Sequence, residues 1–246
     1  MRTFTAGPLR VRAGGGEDRE GRGEGPAVLL CHGYGAPGDD LVALVRAVDA
    51  GPGVRWFFPE APLSIDVGMG FEGRAWWPID MAELQLNIMR GDLRALQDRT
   101  PAGLDEAREA LAACVEALAR DEGVRPESLV VGGFSQGAMV ATDWVLGARP
   151  AVAGLAVLSG TVINAERWRG DLAAGAARDL DVWQSHGAFD SVLPFALAEV
   201  LRDMFAGGGA RVDFVPFRGE HEIPPRALDA LGAFARARFA AKAPRP

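Results

Sequence analysis

The sequence predicts an α/β fold in which helices cover both faces of a mostly parallel sheet. Short apolar runs of strand character alternate with longer segments of helical period, the pattern of parallel strands joined by crossover helices. Of the 246 residues, 48% are hydrophobic and 24% are charged, so the chain can bury a substantial core. No linker-like segment interrupts the alternation, and we therefore expect a single domain over residues 1–246.

Six apolar runs are the candidate core strands. They cover residues 27–31, 54–58, 129–132, 153–158, 182–185 and 212–216, and two shorter candidate strands precede them at residues 3–5 and 9–12. Segments of helical period lie between the strands. They cover residues 40–50, 104–121, 136–146, 195–205 and 226–239.

Residues 61–101 do not follow this alternation. The segment carries Trp76, Trp77, Met69 and other large apolar residues among Gly and Pro, with no clear strand. Loops longer than about 12–15 residues in compact domains are usually functional or disordered, and this one is too apolar for disorder. We therefore expect it to form a cover or a pocket wall.

Composition and charge narrow the class of partner and the compartment. Lys and Arg number 26 against 33 Asp and Glu, and the net charge of −7 argues against nucleic acid or anionic membrane as a partner. Cys31 and Cys114 lack metal-ligand spacing and are expected to be buried thiols in a reducing compartment. The first residues of the sequence lack the apolar stretch that is typical of a secretory signal, and no run approaches the roughly 18 apolar residues of a membrane span. These features predict a cytoplasmic protein with a small-molecule substrate, and they leave its oligomeric state open.

The strongest local motif is LVVGGFSQGAM, which begins at Leu129. An apolar strand here runs into G-x-S-x-G and then into a helix, which is the context of a nucleophile elbow. Gly133 and Gly137 would let the strand and helix approach while the Ser135 hydroxyl points outward. Ser135 is therefore the candidate nucleophile, and the alternative is an ordinary turn between strand and helix.

A serine nucleophile needs a histidine base, and the chain has three histidines. His221 follows the last predicted strand, in the loop before the final helix, which matches the hydrolase order Ser, acid, His. His32 precedes Ser135 in the chain, and His186 is expected to brace its own loop. His221 is therefore the candidate base, and a solvated loop histidine is the alternative.

The acid is expected after the strand that follows the elbow region. Asp190 lies in the loop beyond residues 182–185, four residues after His186. A carboxylate there would hold the tautomer of His221 and stabilise its imidazolium form. Asp181 and Asp213 lie at strand starts, which is the opposite edge of a parallel sheet. Asp190 is therefore the candidate acid.

The turn after residues 27–31 has two interpretations. Its glycines satisfy G-x-G-x-x-G after a strand and before a helix, as in a dinucleotide-binding turn; they are Gly33, Gly35 and Gly38. Pro37 removes a donor that a phosphate cradle would need, and this interpretation leaves the elbow unexplained. The alternative is an oxyanion turn in which Tyr34 and Gln136 supply backbone N–H donors, with His32 as a buried brace. The oxyanion interpretation uses both motifs, and we favour it.

These blocks resemble the phospholipase/carboxylesterase family, which includes acyl-protein thioesterases and small bacterial carboxylesterases. The likeness covers about residues 28–239 and depends on CHGYG, GFSQGAMVA, SHGAFDSVLP and GEHEIPP, of which the middle two are the most specific. The resemblance implies an α/β-hydrolase fold. It also implies the same five site residues: Ser135, Asp190, His221, Tyr34 and Gln136.

A tryptophan-containing block precedes the first long helix, and it is extended relative to compact family members. We expect Trp76, Trp77 and Met81 to wall an apolar acyl pocket and Arg74 to meet a polar end of the substrate. The alternative is that these side chains pack a loop onto the body of the protein.

Together these features predict a serine hydrolase that cleaves carboxylic esters or thioesters through an acyl-enzyme intermediate. Such chemistry needs neither a metal nor a cofactor. Two alternatives come from other classes of protein. One is a nucleotide-dependent oxidoreductase that uses the GYGAPG turn, and the other is a catalytically inactive binding member of the fold.

Overall fold

A mostly parallel sheet forms the centre of the computed structural model, which describes residues 1–68 and 70–242. Met69 and the C-terminal residues 243–246 lie outside the described residues. Within the described residues the central sheet has eight strands: β1 (Arg2–Ala6), β2 (Leu9–Gly15), β3 (Ala27–Cys31), β4 (Arg55–Pro59), β7 (Leu129–Phe134), β8 (Gly154–Leu158), β9 (Asp181–Gly187) and β10 (Arg211–Phe217). Every predicted strand is present, most with bounds shifted by one or two residues.

The strand order is β1-β2-β4-β3-β7-β8-β9-β10. Six neighbouring strands run parallel, namely β4, β3, β7, β8, β9 and β10. Strand β2 pairs antiparallel with both β4 and β1. Cys31 at the end of β3 lies opposite Gly133 near the end of β7. The turns that follow these two strands therefore emerge side by side at the carboxyl edge of the sheet.

Helices cover both faces of the sheet, as the alternation predicts. The described residues contain eight α-helices: α1 (Leu44–Ala47), α2 (Met81–Met89), α3 (Leu93–Asp98), α4 (Leu104–Glu122), α5 (Gln136–Ala148), α6 (Ala165–Ala173), α7 (Phe195–Gly207) and α8 (Pro225–Lys242). In β3, β4, β7, β8 and β9, alternate residues enter opposite cores. Leu29 of β3 packs in the core beneath α4 to α7, whereas Val28 and Leu30 pack in the core beneath α1 and α8.

Two local predictions differ from the structure. The expected helix at residues 40–50 is a 3-10 turn (Asp40–Ala43) followed by the short α1, because the chain becomes extended at Val48. Residues 61–101 do contain strands, since β5 (Leu63–Asp66) and β6 (Glu72–Ala75) form a separate hairpin. Strand β5 alternates apolar and polar residues over only four positions and is largely exposed, and this pattern is too short to indicate a strand from the sequence.

The segment after the hairpin continues into α2 and α3. Helix α2 has no buried residue, and Leu96 is the only buried residue of α3 among those described. Side-chain caps from Asp80 and Asp92 begin the two helices. In the described part of the chain, no helix has the length and apolar character needed to cross a bilayer.

Candidate active site

Ser135 lies in the sharp turn between β7 and α5. Its backbone adopts φ 55° and ψ −121°, a region that costs a residue with a side chain about 1–3 kcal/mol. A methyl group on Gly133 would come within 2.5 Å of the Cys31 carbonyl oxygen, and one on Gly137 would overlap that oxygen. Both positions therefore require glycine for α5 to pack against the sheet. The turn has the geometry expected of a nucleophile elbow.

The three side chains predicted to form a triad meet at the carboxyl edge of the sheet. Ser135 Oγ lies 2.9 Å from His221 Nε2, and His221 Nδ1 lies 2.7 Å from Asp190 Oδ2. An ionised carboxylate can only accept, so Nδ1 carries the imidazole proton and Nε2 accepts from the serine hydroxyl. The unprotonated Nε2 of His221 therefore faces the Ser135 hydroxyl, although the two residues lie 86 positions apart in the chain.

The Asp190 side chain is fully buried and its hydrogen-bonding capacity is filled. Oδ1 accepts from the backbone N–H groups of Val192 at 2.9 Å and Leu193 at 2.8 Å. Burial by itself raises the pKa of Asp190, but hydrogen bonds from His186, His221 and Leu193 outweigh it and hold the pKa well below its usual range. Asp190 is therefore an anion throughout the neutral pH range.

The loop carrying His221 is fixed by its neighbours. The His221 ring packs against the Phe134 ring with 4.8 Å between ring centres. The N–H of Phe189 donates to the Gly219 carbonyl at 3.0 Å, which ties the His221 loop to the loop of Asp190. These contacts orient the imidazole from two sides.

The turn after β3 faces the elbow. A methyl group on Gly33 would lie 3.3 Å from Ser135 Cβ, which places this turn beside the serine. The N–H groups of Tyr34 and Gln136 take part in none of the hydrogen bonds found among the described residues. Gln136 thus directly follows the serine and Tyr34 directly follows Gly33, and both N–H groups lack a hydrogen-bond partner in the described part of the chain.

His32 braces this turn, as the sequence predicts. It is 2% exposed, its Nδ1–H donates to the Gly33 carbonyl at 2.8 Å, and Nε2 accepts from the Ala61 N–H at 2.9 Å. Burial lowers the pKa of His32, which keeps the ring neutral with both nitrogens used.

The same turn is a poor dinucleotide site. The Gly35 N–H donates to the Arg74 carbonyl at 2.9 Å, and Arg12 binds the Gly38 carbonyl at 2.8 Å. A phosphate cradle needs free N–H groups at the start of a helix, yet a 3-10 turn of four residues (Asp40–Ala43) follows here.

The four predicted substrate-binding residues do not act as one group. Trp77 lines an apolar cavity. Trp76 is 1% exposed, and its indole N–H donates to the His32 carbonyl at 3.0 Å, so it supports the turn after β3 and does not line this cavity. Arg74 pairs with buried Glu60 at 3.1 Å, and Met81 lies exposed on α2, outside the cavity.

The cavity has a volume of about 60 Å³ and lies between the 61–101 segment and the body of the protein. The outer wall comes from Trp77, from α2 and α3 and from Pro101, and sequence analysis missed the inner wall. Inner-wall residues are Met139, Thr161, Val162, Ile163, Leu193, Pro194 and Leu197. Residues 161–163 follow β8 at the carboxyl edge of the sheet. Ligands of α/β proteins usually bind at this edge, so the position of these residues was the one feature of the sequence that could have indicated a pocket wall.

Sequence analysis also missed two supporting roles. The Gln136 side chain accepts from the backbone N–H of Trp76 at 2.9 Å and donates to the backbone carbonyl of Trp77 at 2.8 Å. It therefore ties the start of α5 to the cavity wall. His186 braces its loop as expected, through the Leu193 carbonyl at 2.9 Å, but it also lies 3.2 Å from Asp190 Oδ2.

The sheet order, the antiparallel β2 and the strand-turn-helix around Ser135 define an α/β-hydrolase fold. A sequence profile of the phospholipase/carboxylesterase family matches residues 19–238. The chain therefore belongs to this family, and it is a hydrolase of the esterase type that acts on carboxylic esters or thioesters.

Individual relatives agree with this assignment. The chain is 22% identical to acyl-protein thioesterase 1 homolog 1 of Dictyostelium discoideum, over 84% of this chain and 88% of the relative. It is 26% identical to acyl-protein thioesterase 1 of Eremothecium gossypii, over 89% of this chain and 91% of the relative. Among solved structures it is similar to esterase PE8, with a TM-score of 0.75 and 25% identity over 93% of this chain and 98% of the other.

Proposed function

We propose that the protein is a carboxylesterase in which Ser135 is the nucleophile, His221 the general base and acid, and Asp190 the residue that orients His221. The observation that carries this proposal is the hydrogen-bonded chain from Ser135 Oγ to His221 Nε2 at 2.9 Å and from His221 Nδ1 to Asp190 at 2.7 Å. Nucleophile, base and orienting acid within hydrogen-bond distance are the signature of covalent acyl transfer.

The reaction proceeds by two acyl transfers. Ser135 Oγ attacks the carbonyl carbon while His221 Nε2 takes the hydroxyl proton, and the carbonyl electrons move to oxygen. When the tetrahedral intermediate collapses, His221 returns its proton to the departing alkoxide or thiolate, which leaves as alcohol or thiol. Water then attacks the acyl-serine by the same route and releases the carboxylic acid. No step requires a metal or a redox group.

Tyr34 and Gln136 are the proposed oxyanion donors. Their N–H groups flank Ser135 and stay free of hydrogen bonds among the described residues. Gln136 is also the first residue of α5, where the helix dipole favours negative charge. Such donors act on the charge that develops at the carbonyl oxygen in the transition state.

The proposed acyl pocket is the cavity lined by Met139, whose N–H donates to the Ser135 carbonyl, and by Leu193, whose N–H donates to Asp190 Oδ1. Segment 61–101 is its proposed outer wall within a single domain. Its roughly 60 Å³ has room for about four water-sized groups, which supports short acyl chains of about four to six carbon atoms. Thr161 and Arg99 are its only lining residues with polar side chains in the described part of the chain. A small apolar acyl group is therefore the proposed substrate class.

A thioesterase is the second candidate, because the relatives named above from Dictyostelium and Eremothecium are acyl-protein thioesterases.

The cytoplasm is the proposed location, supported by two free, buried cysteines. Burial raises the pKa of Cys31 well above its usual value and that of Cys114 to about 12, so both thiols are protonated and unreactive.

A labelling experiment tests the role of Ser135. We expect a fluorophosphonate probe to label the wild-type protein and to leave folded Ser135→Ala unlabelled, while hydrolysis of p-nitrophenyl butyrate falls by about 10⁴-fold or more. Labelling that persists in Ser135→Ala would place the nucleophile elsewhere. The same acyl group offered as an oxygen ester and as a thioester, compared by kcat/KM, decides between carboxylesterase and thioesterase.

A chain-length series tests the pocket. Truncation of Trp77 to Ala opens the outer wall, so we expect the ratio of kcat/KM for p-nitrophenyl octanoate to that for the butyrate to rise by about tenfold. Trp76→Phe is the matched control, because it removes an N–H donor outside the cavity and should leave this ratio unchanged. An unchanged ratio in Trp77→Ala would mean that the acyl chain binds elsewhere.

A further inference from the structure

Two histidines meet one carboxylate at this site. His186 is fully buried in β9, and its Nε2 lies 2.9 Å from the Leu193 carbonyl oxygen and 3.2 Å from Asp190 Oδ2. The same Oδ2 accepts from His221 Nδ1 at 2.7 Å. His186 takes part in neither of the two acyl transfers described above, yet it contacts Asp190, the residue that orients His221.

The surroundings of His186 determine which nitrogen carries its proton. Both groups facing Nε2 are acceptors, so Nε2 must be the donor. Nδ1 is buried and has no hydrogen-bond partner among the described residues, and the ring of Phe195 packs edge-on 6.1 Å away. A proton on Nδ1 would be a buried, unpaired donor, which is costly. The neutral, Nε2-protonated form fits this environment.

We propose that His186 is a positioning residue of the hydrolase, a role that depends on the function proposed above. Its N–H shares the charge of Asp190 Oδ2 and fixes the carboxylate in the plane that receives His221 Nδ1. A carboxylate that is partly satisfied by His186 stabilises the imidazolium form of His221 less strongly.

Few other charged groups face this pair. Glu220 and Glu222 flank His221 in its own loop, and Arg218 lies over the Phe189 ring at 5.8 Å. Phe134 and Ser135 from the elbow face His221 without charge. None of these groups changes when His186 is replaced, so a shift in the pH profile reports on His186 itself.

Two substitutions at His186 separate positioning from packing. His186→Leu fills the space without a donor, whereas His186→Gln offers an N–H near the position of Nε2. We expect His186→Leu to move the acid limb of the kcat/KM profile upward by about half to one pH unit and to lower kcat/KM at pH 7 by about tenfold. His186→Gln should restore the wild-type acid limb.

Gln184→Leu is the matched control. Gln184 is fully buried on the same strand and donates to the Ala198 carbonyl at 2.8 Å, away from Asp190. It should lower thermal stability and leave the acid limb in place. An unmoved acid limb in His186→Leu, or a His186→Gln profile that matches the Leu variant, would overturn the proposal. Labelling of each variant by the fluorophosphonate keeps this outcome distinct from a failure of the esterase assignment.

NMR of the wild-type protein tests the same proposal without any substitution. The chain has only three histidines, so ¹⁵N-correlated spectra resolve each imidazole. The contacts predict Nε2–H for His186 and Nδ1–H for both His32 and His221. A neutral His186 with its proton on Nε2 at neutral pH is the expected result. A proton on Nδ1 of His186 would refute the proposal even if His186→Leu failed to fold.

Discussion

Replacing Asp190 with Asn makes the sharpest test of the site. Oδ1 accepts two backbone N–H groups at 2.8 and 2.9 Å, so the new carbonyl oxygen will keep that position. The amide NH₂ then takes the place of Oδ2, where it meets the N–H donors of His221 and His186. Donor facing donor is repulsive, and His221 relieves it by moving its proton to Nε2. That tautomer cannot accept from Ser135.

The loss of activity should be large because the stable tautomer of His221 is then the one that carries its proton on Nε2 and cannot accept from Ser135. In serine hydrolases a carboxylate-to-amide change of this kind costs about 10⁴-fold in kcat, which corresponds to about 5.5 kcal/mol in the activation free energy. The assay is kcat for p-nitrophenyl butyrate at pH 7.5, with folding checked by circular dichroism. Asp181→Asn, at the opposite end of β9 and paired with Arg211, is the control and should retain full activity. A folded Asp190→Asn enzyme within tenfold of wild type would refute the reasoning.

Three further predictions concern stability. Ser135→Gly relieves the backbone strain at φ 55°, so it should unfold about 1 kcal/mol less readily than Ser135→Ala in urea, while neither hydrolyses esters. Asp143→Ala removes the partner of the buried Trp168 indole N–H at 2.7 Å and should lower the free energy of unfolding by about 1–3 kcal/mol. The folded-state pKa of Asp190 lies below its unfolded value of about 3.9, so its stabilisation is present above that pH and is lost as the pH falls toward the folded pKa. Acid titration followed by circular dichroism should therefore show a shallower loss of stability below pH 4 in Asp190→Asn than in wild type.

The arrangement at the sheet edge was predictable because topology determines it. In a parallel sheet every strand ends at the same edge, so residues placed just after strands converge however far apart they lie in sequence. Ser135, Asp190 and His221 each follow a strand end, and chain order distinguished them from Asp181 at a strand start. The position of each residue after a strand was therefore sufficient to predict that these three side chains lie close together.

The substrate-binding residues were less predictable because their partners are set by tertiary contacts. Trp76 and Trp77 are adjacent and equally apolar, yet one donates to the His32 carbonyl and the other lines the cavity. Arg74 was expected to meet a polar substrate, but its guanidinium pairs with the buried carboxylate of Glu60, which directly follows β4. No pattern within the segment distinguishes these outcomes.

The same contrast explains why chemistry was easier to infer than specificity. Acyl transfer requires a hydroxyl, an imidazole and a carboxylate, which are polar groups that are costly to bury without partners. A pocket for an acyl chain requires only apolar surface, and the inner wall of the proposed acyl pocket comes from α5, from the loop after β8 and from the start of α7. In sequence these positions are indistinguishable from core. Their role becomes visible only when a gap remains between them and the 61–101 segment, so the size of that gap, and with it chain-length preference, is a property of the packed structure.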